Sequence, residues 1–587
     1  MLRLVLLLAL LLPAASRAAS LPAQEAAHGM VVSAQHLATE AGVAMLKAGG
    51  NAVDAAVAVG YALAVVHPCC GNIGGGGFMT IHLTGGHLAD GTDHFINFRE
   101  TAPAAATADM YLDAAGNKIK DASLIGWKAV GVPGTVMGLD AALAKYGTMP
   151  RAQVMAPAIR LARDGFLLTR ADTDILHLRT AAFRTQPNVA AIFLHPDGTP
   201  YQPGETLRQP GLARTLADIA EHGPPAFYQG RIPAAVQAAS QAGGGILTAA
   251  DFAAYHITES APVRCAYRGF QVISAPPPSS GGTTLCEILN ILSGYDLHAM
   301  GYGSAASVHV MVEAMRHAYL DRNSYLGDPA FVQNPLDRLL SPAYAAAIRA
   351  AIPPDRAGVS NDLRPGTAPH EKTETTHYSV ADRHGNAVST TFTINGFFGA
   401  RVMAGDTGFF LNDEMDDFTV KPGVPNLFGL VQGEANAIAP GKRPLSSMAP
   451  SIVTRDGQLF LVLGSPGGAR IITITLQVIL NIIDHGMAPQ EAVDAPRIHH
   501  QWLPDRVYVE QRGLSPDTEA LLRRMGYTIV EQSPWGAAEL IAIGPPRPLA
   551  SAAASPGNDA ALSGKMLPGL FYGANDSRRP AGAARGY

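Results

Sequence analysis

Glu374-Thr375-Thr376-His377-Tyr378-Ser379-Val380 reads as a β-strand that begins on a threonine where an irregular segment ends. The run from Pro353 to Glu374 is rich in Pro, Gly, Asp, Arg and Ser and has no apolar periodicity, so an exposed, cleavable loop is expected. A cut before Thr375 would make that residue a new N-terminus. A threonine hydroxyl alone is a weak nucleophile, but an α-amine with a pKa of about 7.7 to 8.0 is partly neutral at neutral pH and can accept its proton. One residue would then supply nucleophile and base. Threonine is also an ordinary strand former, so the rest of the chain must separate the two readings.

The residues that follow set a register. Thr376 opens a strand, Arg383-His384-Gly385 forms a turn, and Asn386 to Asn395 forms a second strand. With a three-residue loop and Gly385 at positive φ, Asp382 pairs with Asn386, and counting back sets Thr375 opposite Thr393. Directly opposed side chains lie about 5 Å apart at Cβ. A period of two puts Thr391, Thr393 and Asn395 on one face and Val388, Thr390, Phe392 and Ile394 on the other.

Further blocks run along nearly the whole chain: His28-Gly29-Met30-Val31, Gly49 to Ala56, Gly74 to Phe78, Phe98-Arg99-Glu100, Pro276 to Gly282, Asn412 to Phe418, Arg443 to Met448 and Gly464 to Arg470. With these blocks the chain resembles the gamma-glutamyltranspeptidases, members of the N-terminal nucleophile hydrolases. The resemblance implies an α+β fold, a four-layer αββα sandwich of two intertwined subunits cut from one precursor. Residues 1–19 would be a signal peptide, 20–374 the large subunit and 375–587 the small, catalytic subunit. The chain would cut itself between Glu374 and Thr375, the Thr375 hydroxyl attacking the preceding carbonyl and the resulting ester being hydrolysed. The implied activity moves the gamma-glutamyl group of glutathione-like compounds to water or to amino acid and peptide acceptors.

Such a substrate carries an α-carboxylate and an α-ammonium, so its pocket needs a cation with hydroxyl donors and a set of anions. By resemblance Arg99, Ser446 and Ser447 bind the carboxylate, while Glu414, Asp417 and Asn395 hold the ammonium. A guanidinium presents a planar fork to a carboxylate, and a buried ammonium needs carboxylate partners. Thr393 would orient the Thr375 hydroxyl. Gly467-Gly468 before a helix reads as an oxyanion hole, because two backbone N–H groups can meet the negative charge developing on an amide oxygen. A phosphate loop is excluded there, since Ala469-Arg470 follows instead of Lys-Ser/Thr. In relatives with a lid, a Tyr hydrogen-bonds the residue matching Asn395; here Pro425-Asn426-Leu427-Phe428-Gly429 offers Phe428. A mobile lid and relatively more hydrolysis than transfer are expected.

Composition sets bounds. Arg3, the apolar run Leu4 to Leu12 and Ser16-Arg17-Ala18-Ala19 read as a secretory leader, too short for the roughly 20 residues of a spanning helix. A periplasmic or extracellular location is expected. A net charge of -5 gives no polybasic bias toward nucleic acid or anionic membrane, which leaves small molecules as the expected substrates. Length alone suggests about four domains at roughly 150 residues each, whereas the resemblance implies one interwoven unit. Neither a metal nor another cofactor is implied, because Cys-x-x-Cys, His-Glu-x-x-His and acidic calcium-loop patterns are missing from the sequence. The neighbours Cys69 and Cys70 cannot easily bridge without strain, while Cys265 and Cys286 fit either a disulfide or buried thiols.

Local signals complete the outline. Ala34 to Leu46 and Ala52 to Val66 predict a helical hairpin, with Gly49-Gly50 closing one arm and Asn51 opening the other. Gly74 to Gly77 leads into strand-like Phe78-Met79-Thr80-Ile81, which suggests close backbone packing rather than dinucleotide binding. Arg470 to Ile483 predicts a buried helix, and Pro545 to Pro568 a disordered surface insertion. Two other readings stay open: a glutaryl or cephalosporin acylase, against which the retention of both Glu414 and Asp417 speaks, and an uncleaved, catalytically idle exported binding protein.

Overall fold

Val388 and Ala387 show how the chain is layered: neighbours on one strand, they point into two different cores. The computed structural model of the chain describes residues 20–84, 93–360, 375–544 and 566–587. The expected leader Met1 to Ala19, residue Glu374 and most of the expected insertion lie outside the described residues.

Two seven-stranded antiparallel sheets form the centre. The first runs Ala583–Gly586, Gly29–Ser33, Thr376–Asp382, Ala387–Thr393, Gly76–His82, Asp93–Asn97 and Thr258–Ser260. The second runs Gln24–Ala26, Phe571–Asn575, Glu539–Ile543, Gln458–Gly464, Ser451–Arg455, Phe270–Ser274 and Val263–Tyr267. Met30, Val32, Ala381 and Ala387 of the first sheet pack on Ile273, Ile452, Val462 and Ile541 of the second. The opposite face of the first sheet, including Val31, Val380 and Val388, is covered by the helix Ala52–Val66 and its neighbours. The helices Gly281–Leu292 and Ile471–Ile483 cover the second, against Val272, Val453 and Leu461. The result is the expected αββα sandwich, with both faces of each sheet covered.

The hairpin of the strands Thr376–Asp382 and Ala387–Thr393 keeps the register read from its turn. Thr376 pairs with Phe392 and Ala381 with Ala387, Asp382 N donates to Asn386 O at 3.0 Å, and Gly385 has φ +84°. The second strand ends at Thr393, two residues earlier than expected, because Asn395 turns into the left-handed region at φ +71°. The face bearing His377, Ser379 and Ser389 looks into the space between the sheets. There Ser379 Oγ donates to Glu539 O at 2.9 Å and Ser389 Oγ to Leu463 O at 3.0 Å, so buried hydroxyls are satisfied across the interface.

The helical hairpin is present as His36–Lys47 and Ala52–Val66, the second opened by a capping box of Asn51 and Asp54. The four glycines serve close packing. A Cβ on Gly75 would lie 1.9 Å from Thr393 O, and one on Gly74 2.0 Å from Phe410 O.

Two expectations are corrected. Cys265 is bonded to Cys286, and Cys69 to Cys70 as well; the turn at residues 68–70 brings together sulfurs that an extended backbone would point apart. The described part of the expected loop, residues 353–360, is irregular and exposes Val359, and it is anchored at two points: Ala357 N donates to Met525 O at 2.7 Å and Ser360 N to Asp505 Oδ2 at 2.9 Å. Met566, inside the expected insertion, is instead buried in the core, and Leu567 N donates to Tyr572 Oη at 2.6 Å. Among the described residues, no helix is long and apolar enough to cross a membrane.

Gly75→Ala tests this packing, because the clashing atom is main chain and cannot swing aside. Overpacking of this kind costs about 1–3 kcal/mol, so thermal denaturation is expected at a clearly lower temperature. A variant as stable as the parent would refute the close approach of these two strands.

Candidate functional site

Thr375 stands immediately before the strand Thr376–Asp382 and is only 4% exposed. The hairpin register carries it across from Thr393, and both residues line one cavity. Asn395, Glu414, Asp417, Arg99, Ser446, Ser447 and Gly468 line the same cavity. Gly467 stands one residue before it in the chain. Side chains scattered over more than half the sequence are thus gathered at a single hollow.

Each is positioned by a local device. Asn395 N donates to Thr393 Oγ1 at 2.8 Å, and Asn395 Nδ2 to Asp413 O at 3.0 Å, which locks the tight bend after the strand. Glu414 and Asp417 occupy the single 3₁₀ turn Glu414–Asp417. Its start is held by Asn412, whose Oδ1 accepts from Glu414 N at 3.1 Å and from Gly131 N at 2.9 Å. Ser446 is held by the Pro276 to Gly282 segment, with Ser446 N donating to Pro278 O at 2.8 Å and Ser280 Oγ donating to Ser446 O at 2.6 Å.

The charged groups of the two expected poles meet one another. Arg99 was expected at the carboxylate pole and Glu414 and Asp417 at the ammonium pole, but the three are joined: Arg99 Nη1 donates to Glu414 Oε1 and Nη2 to Asp417 Oδ2. Arg99 Nε also donates to Pro444 O at 3.2 Å. A fully buried guanidinium needs anionic partners, and these two are the nearest. Glu100 adds a third carboxyl, its Oε2 3.6 Å from Arg99 Nη1. Burial raises the affinity of all three carboxyls for protons, against the pull of Arg99, and pushes Glu100 up to about 7. Glu414 Oε2 accepts no hydrogen bond among the described residues.

Gly467 has φ +141° and Gly468 φ +54°, values that suit glycine, and the helix Ile471–Ile483 follows within one 3₁₀ turn. Tyr319 Oη donates to Ala469 O and steadies the loop. A Cβ on Gly468 would lie 2.4 Å from Phe428 Cδ1, so the Phe428 ring lies against this backbone. The segment bearing Phe428 is itself tethered, since Leu427 N donates to Asp416 Oδ2 at 2.7 Å and Gln501 Nε2 to Phe428 O at 3.2 Å.

One charged lining residue escaped the sequence reading. Arg322, on the helix Ala305–Tyr325, is 1% exposed and donates from Nη2 to Ser447 Oγ at 3.0 Å. Asp321-Arg322-Asn323 matches no motif. A usable signal was the arginine itself, in a chain with only 16% charged residues.

A hydroxyl beside a second hydroxyl, paired carboxylates, arginines, serines and a glycine turn suit covalent acyl chemistry on a small zwitterionic ligand. Comparison with known proteins agrees. Residues 38–564 match the family model described as Gamma-glutamyltranspeptidase. A glutathione hydrolase proenzyme of Pseudomonas sp. strain A14 is 56% identical over 564 residues, 96% of this chain and 95% of that protein. Another from Escherichia coli K12 is 50% identical over 524 residues, 89% of each. Among solved structures, a cephalosporin acylase from Bacillus halodurans has a TM-score of 0.81 at 27% identity, with 98% of both chains covered. On the extent of these matches, the chain belongs to the gamma-glutamyltranspeptidase family.

Proposed function

We propose that this protein is an exported, self-cleaving gamma-glutamyltransferase and hydrolase acting on glutathione and related gamma-glutamyl amides. The observation that carries the reading is the hairpin register, which sets Thr375 beside Thr393 at a cavity also lined by Arg99, Glu414 and Asp417. The precursor cuts itself between Glu374 and Thr375 into a large subunit, 20–374, and a small one, 375–587, which stay associated through their shared sheets. Strands 29–33 and 376–382 are hydrogen-bonded neighbours, so the cut leaves the first sheet whole.

In the proposed cycle the freed Thr375 amine takes the proton of its own hydroxyl, whose oxygen attacks the gamma-carbonyl. Thr393 orients that hydroxyl. Gly467 and Gly468 donate to the developing oxyanion, an interaction whose loss costs roughly 3–4 kcal/mol of barrier in comparable sites. The amine returns the proton to the leaving nitrogen, leaving a gamma-glutamyl ester on Thr375. Water or an acceptor amine resolves that ester by the same steps in reverse. Arg99, Ser446 and Ser447 take the substrate's α-carboxylate, while Glu414, Asp417 and Asn395 take its α-ammonium. No step calls on a metal or another cofactor.

The second reading, an acylase of glutaryl groups, is favoured by the structural likeness to a cephalosporin acylase. It leaves Glu414 and Asp417 without a ligand, since a glutaryl group has no ammonium. Turnover of gamma-glutamyl and glutaryl anilides decides between the two: the gamma-glutamyl anilide is expected to be strongly preferred, and the opposite order would transfer the protein to the acylases.

Thr375→Ala is expected to give a single uncut chain on a denaturing gel and no turnover; a cut and active variant would eliminate the assignment. Phe428 lacks a hydroxyl with which to latch the lid, so Phe428→Tyr is expected to raise the ratio of transfer to hydrolysis with an added dipeptide acceptor. An unchanged ratio would remove Phe428 from control of water entry.

A further inference from the structure

Arg322 is a cation buried at the cavity without a carboxylate in ion-pair reach among the described residues. All its partners are neutral. Nε donates to Ser280 Oγ at 2.9 Å, Nη1 to Asn323 Oδ1 at 2.8 Å and Gln432 Oε1 at 3.3 Å, and Nη2 to Ser447 Oγ at 3.0 Å. An uncompensated buried charge is costly, and such a group persists where a ligand of opposite sign completes it. Burial lowers its guanidinium to about 10, the direction expected of a cation short of partners.

The rest of the cavity does not meet that charge. The carboxyls of Glu414, Asp417 and Glu100 gather about Arg99 instead, and a substrate α-carboxylate beside Ser447 would complete Arg322.

Connectivity sharpens the argument. By donating to Ser447 Oγ, Arg322 occupies that oxygen as an acceptor and leaves the Ser447 proton to be donated onward. Through Nε it also holds Ser280, whose Oγ donates to Ser446 O at 2.6 Å. One guanidinium therefore organises both serines of the carboxylate pole.

We infer that Arg322 is a positioning residue for substrate specificity: it supplies the unpaired positive charge behind Ser446 and Ser447 and turns the Ser447 hydroxyl toward the substrate's α-carboxylate. The inference rests on the proposed gamma-glutamyl chemistry and deepens it, because it explains how the site selects an α-amino acid over a plain amine.

The test uses full-length, processed enzyme and two substrates, L-gamma-glutamyl-4-nitroanilide and the 4-aminobutyryl anilide that lacks the α-carboxylate. Arg322→Met is expected to raise KM for the first by roughly 10- to 100-fold, the size of a hydrogen bond to a charged group, with kcat nearly retained. It should leave kcat/KM for the second almost unchanged, collapsing the preference between them. Arg322→Lys keeps the charge but loses the fork and should restore part of that preference. Equal losses on both substrates, or a fall in kcat with KM intact, would overturn the inference by showing a merely structural role. Should Arg322→Met fail to process, Arg322→Lys alone decides, and a wild-type preference in that variant would reject the assignment. A parent enzyme inactive on the gamma-glutamyl anilide would instead reject the proposed function beneath it.

Discussion

Asp382 holds the turn on which the site depends. Its Oδ1 accepts from His384 N at 2.8 Å and Asn386 N at 3.1 Å, and its Oδ2 accepts from Ala52 N at 3.0 Å. One carboxylate thus closes the hairpin and caps the apolar helix that lies on the sheet. Because side chains alternate, a slip of one residue would move Thr375 to the helix side and bring hydrophobic neighbours to the cavity. The docking of Asp382 on Ala52 and the burial of both faces oppose such a slip, since it would expose or clash apolar groups in two cores at once.

That register has a second consequence. Thr375 and Thr393 sit on the face turned toward the second sheet, whose strand Gln458–Gly464 runs into Gly467 and Gly468. The two sheets meet closely there, for a Cβ on Gly464 would lie 2.4 Å from the His377 ring. Proposed nucleophile and oxyanion donors therefore come from different sheets, and their relative placement is set by how tightly the layers pack. His377 itself is buried and lowered to about 3, so it stays neutral and serves as a hydrogen-bonding spacer with Thr391 Oγ1 at 2.8 Å.

The cavity concentrates charge in a way that costs stability. Three carboxyls surround Arg99, Arg322 lacks an anion, and oxygens of Glu100 and Glu414 accept no hydrogen bond among the described residues. Cores built only for stability satisfy such groups or replace them with apolar ones. A small zwitterion in the cavity would satisfy several of them together, which ties the strained electrostatics to ligand selection rather than to folding.

Much of this was legible from local chemistry. The strand starting just after Thr375, the Gly385 turn, the Asn51 cap and the buried helix after Gly467-Gly468 are short-range features, governed by backbone sterics and hydrogen bonding within a few residues. The sequence by itself also determined which side chains were candidates, through blocks whose resemblance names them. It did not say which charges would meet. Arg99 reaches Glu414 and Asp417 across 315 and 318 positions, Arg322 reaches Ser447 across 125, and both were settled by how helices and sheets stack. Ion pairing depends on distance through space in a low-dielectric interior, and linear spacing carries no record of that distance. The bridge between Cys69 and Cys70 and the anchoring of Ser360 have the same origin, a backbone path chosen by packing far from the residues concerned.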